Sequence, residues 1–496
     1  MKVTKEKVLS DYNRLVVLAE KLFAKKRYED CLSVVKTAAF LMYNFNLIYA
    51  DERLENLLHK CGDFFVSQLP QSTAVKTVLF YDWWILETRG LSTIYIKGLL
   101  QNGYKVIVVT LEQNRAGAGW LYKLLGENGA IEYFNLKDSY KKQLEILSDI
   151  YAKYLPKTAF FHTMPDDVAG CVFFTKLPCK RFLINLTDHA FWLGSTCVDY
   201  SIEFRDYGYT VSKNHRHIPE EKLIMLPYYP VHKLIPASDM QDFFTTHKNL
   251  VVSGGSLYKI AGSPVFLEIV SHILNAQNDS TFAFIGGGNP SIINQFIKGN
   301  GLENRCFYFT ERPDFEDFVR HAKFYLCTYP INGALMSQLA VVNKKLPLCY
   351  NPGNDGITRD ADMESLFVDT GHNPKLSFNT LNQINAEIDH LFADEKYLKQ
   401  QEDKLNGMVL SEEDFNQELK KLLEIQQTKF NGKECKVDLD EFAQIYLDAE
   451  NNTSHNYNLF FARSKSPVIY KLFPGKSFWG VLKILGNKLF TKFTTK

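Results

Sequence analysis

Residues 249–260 read NLVVSGGSLYKI, an apolar run that ends in two glycines and a short polar loop. Residues 281–289 read TFAFIGGGN and repeat this pattern after an intervening helical segment. Short apolar runs that end in glycine are typical of buried parallel strands, which turn sharply into the next helix. Strands and helices continue to alternate as far as residue 390. We therefore predict a doubly wound, Rossmann-like domain over residues 248–390.

A similar alternation precedes this domain, over residues 76–230. The strand 77–82, the helix 93–101 and the strand 104–110 form a strand–helix–strand unit, which implies that the two strands pair in parallel. Further β-like runs are predicted, in chain order, at Ile131–Phe134, Ala159–His162, Phe182–Leu186, Asp199–Glu203 and Tyr209–Ser212. A proline-containing linker, 226–247, joins the two series. The chain is thus predicted to be an α/β protein of two Rossmann-like domains that face each other across a cleft.

The flanking segments have helical character. Residues 1–70 show apolar spacing of i, i+3, i+4 and i+7 in three pieces, which predicts a packed α-helical segment. Residues 391–430 are charged and helical, and we interpret them as helices that close the second domain. Residues 431–496 are interpreted as a basic, amphipathic tail.

Composition narrows the class of protein. The net charge is +1, with 23% charged and 46% hydrophobic residues, which argues against a nucleic-acid-binding protein and against disorder. The nine cysteines are scattered and lack CxxC spacing, so we expect reduced thiols and neither a disulfide framework nor a metal site. The first residues contain no apolar signal region. We therefore expect a cytoplasmic protein.

Loops at the carboxyl ends of strands are the expected ligand sites of such sheets. In the second domain, small residues there let backbone N–H groups approach a phosphate, and a lysine adds a positive charge. The candidate nucleotide-binding residues are Gly254, Gly255, Tyr258, Lys259, Gly287, Asn332, Gly333 and Ser337.

The first domain offers candidates for a general base. Asp188 and His189 follow one predicted strand, and His162 ends another, with Asp166 or Asp167 behind it. A carboxylate or an imidazole can take the proton of an acceptor hydroxyl. Both positions stay open, since a single histidine is more often structural.

Several loops together resemble those of a known family. Residues 192–194 (WLG), 198–202 (VDYSI), 221–227 (EKLIMLP), 256–260 (SLYKI) and 329–333 (YPING) follow one another as in GT-B glycosyltransferases, and most closely resemble the inverting O-GlcNAc transferase and HMW1C-like enzymes. In that family an α-helical segment can precede the catalytic part, and the lysine that matches Lys259 contacts the nucleotide diphosphate. The chain departs from the family at Ala334-Leu335-Met336, where a His-Thr-Thr run is expected.

The residues and the resemblance lead to one functional expectation. The chain is expected to be a hexosyl- or N-acetylhexosaminyl-transferase that moves a sugar from a nucleotide sugar, UDP-linked, to an acceptor hydroxyl in bacterial-type surface glycan or protein glycosylation. We expect inversion, no metal and no cofactor. The acceptor would be a glycan, a lipid-linked molecule or a protein. Two alternatives remain: a nucleotide-sugar epimerase of similar fold, and a catalytically degenerate GT-B partner that stabilises an active transferase.

The tail suggests a further partner. Residues 451–496 contain eight basic residues and no acidic one. Within them Phe478, Leu482, Leu485, Leu489 and Phe493 share one helical face. Such a helix is typical of attachment to an anionic membrane surface, here the inner face of the cell membrane. The alternative is a terminal helix that docks its apolar face on the body of the protein.

Overall fold

The computed structural model describes residues 2–85, 90–162, 164–232, 234–352, 357–358 and 364–494. Three helices come first, as predicted: α1 (Lys5–Ala24), α2 (Tyr28–Phe45) and α3 (Glu52–Phe65). Thr4 and Asp51 cap α1 and α3 through their side-chain oxygens. Asn46 ends α2 in the left-handed conformation, with φ of 50°.

The first α/β unit has seven parallel strands. They are β1 (Ala74–Asp82), β2 (Lys105–Leu111), β3 (Gly129–Phe134), β4 (Pro156–His162), β5 (Lys180–Ile184), β6 (Tyr200–Glu203) and β7 (Leu223–Met225), in the order β3-β2-β1-β4-β5-β6-β7. Its helices are α4 (Gly90–Gln101), α5 (Gly119–Leu125), α6 (Tyr140–Tyr154), α7 (Val168–Lys176) and α8 (Asp206–Asn214). The predicted parallel sheet is therefore confirmed.

The strand predicted at Tyr209–Ser212 is wrong, because these residues belong to α8. The strands β6 and β7 are adjacent and parallel, so the chain between them has to cross back over the sheet, and a helix makes that crossing. A short apolar run cannot distinguish a strand from a buried helix.

The elements of the second α/β unit are, in chain order, α9 (Gln241–Thr246), β8 (Asn249–Gly254), α10 (Val265–Ala276), β9 (Ser280–Ile285), α11 (Ser291–Gly299), β10 (Cys306–Phe309), α12 (Phe315–His321), β11 (Phe324–Leu326), α13 (Ala334–Val342), β12 (Pro347–Tyr350), β13 (Ile357–Thr358) and β14 (Ser377–Phe378). Six of its strands form a parallel sheet in the order β10-β9-β8-β11-β12-β14. The two doubly wound units confirm the predicted fold class.

The elements of the remaining chain are α14 (Leu381–Ala393), α15 (Glu395–Asp403), α16 (Glu412–Ile425), β15 (Lys436–Val437), α17 (Leu439–Ala449), α18 (Tyr457–Arg463), α19 (Pro467–Leu472) and α20 (Pro474–Thr494). Of these, α14 and α15 pack on the second unit, and the chain then returns to the first unit and the N-terminal helices. Helix α16 packs on α4 at Gly98, where a Cβ would come within 2.8 Å of Leu419. The strands β13 and β15 pair with each other.

The end of the chain packs on its beginning. Asp11 of α1 accepts hydrogen bonds from Tyr457 and Lys476, and the side chain of Asn451 exchanges two hydrogen bonds with the backbone of Val3. The α18 and α20 helices approach closely at Gly480, since a Cβ there would lie 2.6 Å from that of Ala462. The segment predicted as a tail is thus largely part of the packed structure.

Gly286 offers a test of the second unit. A Cβ at this position would lie 1.8 Å from the Gly255 carbonyl oxygen, so Gly286→Ala has to push two backbone segments apart. We expect the free energy of unfolding to fall by about 1–3 kcal/mol or more, measured by urea denaturation. Gly299→Ala is the control, because the added Cβ meets nothing within 4 Å other than its own chain neighbours and helix backbone. Equal stability of the two variants would contradict this packing.

Candidate active site between the two sheets

A cavity of about 900 Å³ lies where the carboxyl edges of the two sheets face each other. The first unit contributes His189, and the second contributes loops that follow β8, β9 and β11. Helices from both ends of the chain complete the walls. The lining includes Tyr43, Phe45, His189, Leu257, Tyr258, Gly288, Asn289, Pro330, Ile331, Ile445 and Tyr446. This is the cleft that the sequence predicts.

Two glycine-containing loops form the second unit's side of the cavity. Gly255 has a φ of +124°, and Gly288 has a φ of +111°, a region that favours glycine. The loops are joined by a hydrogen bond from the Leu257 amide to the Gly287 carbonyl, 2.9 Å long. Packing requires glycine at position 254, since a Cβ there would lie 2.5 Å from the Phe315 ring. The edge therefore presents backbone with few side chains.

Lys259 lies beside the start of α13. Its ammonium donates to the Asn332 carbonyl over 3.0 Å, and Gly333 is the N-cap of that helix. A helix N-terminus carries partial positive charge, so a cation next to it strengthens the positive potential there. This arrangement suits an anion such as a diphosphate. Tyr258, one residue earlier, is 60% exposed and lines the cavity itself.

Two other candidates point inward. The Asn332 side chain accepts from the Gly333 amide over 2.6 Å and donates to the Cys349 sulfur. Ser337 is fully buried, and its hydroxyl donates to the Gly333 carbonyl over 3.3 Å. These side chains shape the start of α13. Of the predicted nucleotide-binding residues, only Tyr258 is among those that line the cavity.

Asp188 and His189 have different environments. Asp188 is buried and accepts two hydrogen bonds from Arg205, at 2.6 Å and 2.9 Å. Burial alone would raise the pKa of Asp188, but the Arg205 guanidinium holds that pKa well below its ordinary value. A carboxylate so stabilised is a poor proton acceptor.

His189 is the member of this pair that reaches the cavity. Its Nδ1 lies 3.4 Å from Asp188, and its ring packs edge-on against Phe442 of α17. A carboxylate at Nδ1 favours the tautomer in which Nε2 carries the free lone pair. The arrangement can therefore accept a proton from a hydroxyl in the cleft.

His162 belongs to a separate buried cluster. Its Nδ1 lies 3.1 Å from both Asp82 and Ser92, and the Ser92 hydroxyl donates to the same Asp82 oxygen. Burial would raise the pKa of Asp82, yet the two partners lower it. This cluster is not part of the described cavity lining.

The predicted partners of His162 are wrong. Asp167 instead caps α7 through the Gly170 amide and accepts a hydrogen bond from Tyr81. Asp166 faces a different pocket. Between Asp82 at the end of β1 and His162 at the end of β4 lie three helices, α4 to α6, and two strands, β2 and β3. Local spacing could therefore not identify Asp82 as the partner.

The sequence also missed the walls formed by α2 and α17. Residues 43–45 and 445–450 lie far from the predicted cleft loops along the chain. Their aromatic content, with Tyr43, Phe45 and Tyr446, is the only signal that could have suggested them.

Comparison with known proteins rests on structure alone. No protein-family model matches the chain, and no curated protein matches it in sequence. The chain is similar to HepE from Anabaena, crystallised with UDP and glucose, at 12% identity and a TM-score of 0.53, over 70% of this chain and 99% of that one. It is also similar to a mutant O-GlcNAc transferase from Thermobaculum terrenum, at 14% identity and a TM-score of 0.51, over 89% of this chain and 84% of that one.

A third similar structure is a putative UDP-N-acetylglucosamine 2-epimerase from Listeria monocytogenes, at 10% identity and a TM-score of 0.50, over 74% of this chain and 100% of that one. At these identities the likeness is one of fold. The distant resemblance to GT-B proteins that the loops predict is confirmed at that level, and the chain has the GT-B fold.

The Asp188–Arg205 pair makes a testable contribution to stability. Arg205→Met leaves a buried carboxylate with its main partner removed, which typically costs about 3–5 kcal/mol. We expect a loss of that size in chemical denaturation. Arg115→Met is the matched control, since Arg115 makes a similar two-bonded pair with Glu112 at the surface and should hardly matter. Similar losses in both variants would contradict the role of burial.

Proposed function

We propose that this protein is a glycosyltransferase that uses a UDP-linked sugar as its donor. The observation that carries the proposal is the cavity in which His189 faces two glycine-containing loops. The similarity to HepE, whose structure contains UDP and glucose, supports this choice of donor. The second unit would bind the nucleotide diphosphate, and the first would present the acceptor.

The donor's diphosphate would lie at the start of α13. The Lys259 ammonium and the backbone N–H groups of the helix would stabilise the negative charge of the leaving nucleoside diphosphate, without a metal ion. Such preorganised donors act most strongly where water is excluded. Gly255 and Gly288 would let the nucleotide approach the backbone closely.

His189 would act as the general base. Its Nε2 would take the proton of the acceptor hydroxyl while the acceptor oxygen bonds to the anomeric carbon of the sugar. The bond between that carbon and the diphosphate oxygen would break, and its electrons would leave with the nucleotide. A single displacement of this kind inverts the anomeric configuration. Asp188 would act as a positioning residue that holds the ring and stabilises the imidazolium.

A catalytically degenerate partner protein is the second candidate. The apolar side chains of Ala334, Leu335 and Met336 at the start of α13 favour it, because polar groups are expected at a site that handles phosphate. Such a protein would bind a nucleoside diphosphate without transferring or hydrolysing a sugar. An epimerase would convert the donor without an acceptor.

Lys259 and His189 should affect different steps. Lys259→Ala removes a charge-assisted contact, so UDP binding measured by calorimetry should weaken at least about tenfold. His189→Ala should leave UDP binding within about twofold but slow sugar transfer or donor hydrolysis by about 10²–10⁴-fold. Lys298→Ala, on the exposed end of α11, is the control.

Three results decide between the proposals. Unchanged UDP affinity in Lys259→Ala would overturn the diphosphate site. UDP binding with no turnover of any nucleotide sugar would identify the degenerate partner. Near-native turnover in His189→Ala would move the general base elsewhere.

We also propose that α20 attaches the protein to the inner, anionic face of the cell membrane. Of its first turns, Lys476, Ser477, Gly480 and Lys483 pack against the body. The opposite face is apolar and exposed, with Phe478 at 59%, Trp479 at 61% and Leu485 at 52%. Contiguous exposed apolar side chains of this kind mark an interaction site.

The composition around this face favours a lipid surface over a protein. Tryptophan and phenylalanine are typical of the interface between lipid and water, and Lys488 and Lys492 follow in sequence with no nearby acid. The body of the protein would then stand at the cytoplasmic surface, where a lipid-linked acceptor is accessible. Within the described residues, every helix is too short or too polar to cross a bilayer.

The exposed face can be tested without removing the helix. Trp479→Ser with Leu482→Ser should lower binding to anionic vesicles at least about tenfold in co-sedimentation, because two apolar side chains no longer insert. Phe64→Ser with Ile425→Ser is the matched control, since both side chains are 59% exposed elsewhere. Added salt should weaken wild-type binding. Equal binding by both double variants, or none by the wild type, would contradict the proposal.

A further inference from the structure

A second pocket, of about 480 Å³, lies along the same carboxyl edge of the first sheet as His189. One wall is the face of α2 that carries Ser33, Lys36 and Phe40. Trp83, just after β1, and Asp166, after β4, form the opposite side, and Arg463 of α18 stands at the rim. None of the residues in the proposed donor site belongs to it.

Buried acceptors in this pocket lack good partners. Asp166 is only 8% exposed, and its nearest cation, the Lys36 ammonium, is 4.0 Å away. Burial raises the pKa of Asp166 above its ordinary value. The side-chain oxygen of Gln143 is buried without a hydrogen-bond partner among the described residues, although its amide nitrogen donates to the Asp138 carbonyl. Of these two acceptors only Asp166 keeps surface toward the pocket, because the Gln143 oxygen is fully enclosed. Asp166 therefore indicates a ligand that donates hydrogen bonds.

The other side chains indicate what kind of ligand this is. The Lys36 ammonium lies 5.1 Å from the centre of the Trp83 ring, and the Phe40 and Phe460 rings meet edge to face at 5.5 Å. The charged lining residues balance, with three acids and three bases: Glu29, Asp138, Asp166, Lys36, Lys137 and Arg463. An uncompensated positive potential, as a phosphate would need, is therefore absent from this lining. Donors, acceptors and aromatic faces together suit a neutral polyhydroxylated ring, whose C–H face packs on an aromatic side chain.

The pocket and the cleft are neighbours along α2. Phe460 lines both cavities, and α2 passes from Lys36 at the pocket to Asn44 at the cleft. Eight residues of helix span about 12 Å, which is the reach of a short oligosaccharide. An acceptor whose reacting hydroxyl lies at His189 could thus extend into the pocket.

We propose that this pocket is an acceptor subsite that binds a neutral sugar unit of an oligosaccharide. The proposal rests on the glycosyltransferase function proposed above and adds the class of acceptor. Asp166 accepts hydrogen bonds from sugar hydroxyls, Lys36 and Arg463 donate to them, and the aromatic side chains pack against the C–H face of the sugar ring.

The test measures binding directly, so that it does not depend on turnover. Full-length protein saturated with UDP is titrated with maltotriose, cellotriose and chitotriose, and binding is followed by saturation-transfer NMR and calorimetry. We expect at least one trisaccharide to bind, and Asp166→Asn to weaken it at least about tenfold. Lys36→Met gives a second reading if Asp166→Asn does not fold. Lys298→Ala, in the last turn of α11 and outside the lining of both cavities, is the control and should retain binding within about twofold.

The outcomes separate the two proposals. Absence of turnover of every nucleotide sugar by the wild-type protein, with trisaccharide binding intact, would overturn the transferase function but keep the subsite. The subsite would be overturned if none of the three sugars binds. It would also be overturned if the Asp166 and Lys36 variants bind the sugars as tightly as the wild-type protein does. Binding of inorganic phosphate that is lost in Lys36→Met would also overturn it.

Discussion

The buried ion pair between Asp188 and Arg205 is the contact on which the cleft depends. It fixes the start of the loop that carries His189. Arg216 holds the same loop further along, by donating hydrogen bonds to the carbonyls of Asp188 and Ala190. The far side of the loop is held by the N-terminal helices. Asn46 accepts from the Phe191 amide, and the buried carboxylate of Glu55 accepts from the amides of Gly194 and Thr196. The helical segment is therefore part of the site's support.

The two halves of the cleft use different chemistry. The second unit presents mainly backbone, in loops where glycine is required by positive φ or by close approach, together with one lysine at a helix start. The first unit presents side chains that are oriented by buried charges. The site therefore separates two tasks. Fixed hydrogen-bond donors and a positive charge on the second unit bind an anion, and a side chain on the first unit accepts a proton.

Some parts of the fold and of the site can be predicted from the sequence, and others cannot. Apolar runs that end in glycine identify β8 and β9 and their loops, because the sharp turn at a strand end has a local signature. The helical spacing of residues 5–65 is local too. The partnership of Asp82 with His162 and the wall formed by α17 arise only when distant segments meet, so no spacing reveals them. The same holds for α20: its period shows two faces, but which face packs inward depends on Asp11 and on the carbonyls near residue 455. The residues Tyr209–Ser212 are compatible with a strand or with a buried helix. The parallel pairing of β6 with β7 requires a helix between them, and this decides the assignment.

The contact between α1 and the last helices has a consequence for how the molecule is made. Asp11 leaves the ribosome long before Tyr457 and Lys476, which enclose it and follow it by 446 and 465 residues. Contacts between residues so distant in sequence form slowly, and α1 cannot complete its packing until α20 has emerged. The two α/β units can collapse as they emerge, but the walls of the cleft from α2, α17 and α18 come together only afterwards. A nascent chain therefore has no finished binding site until α18 has been synthesised.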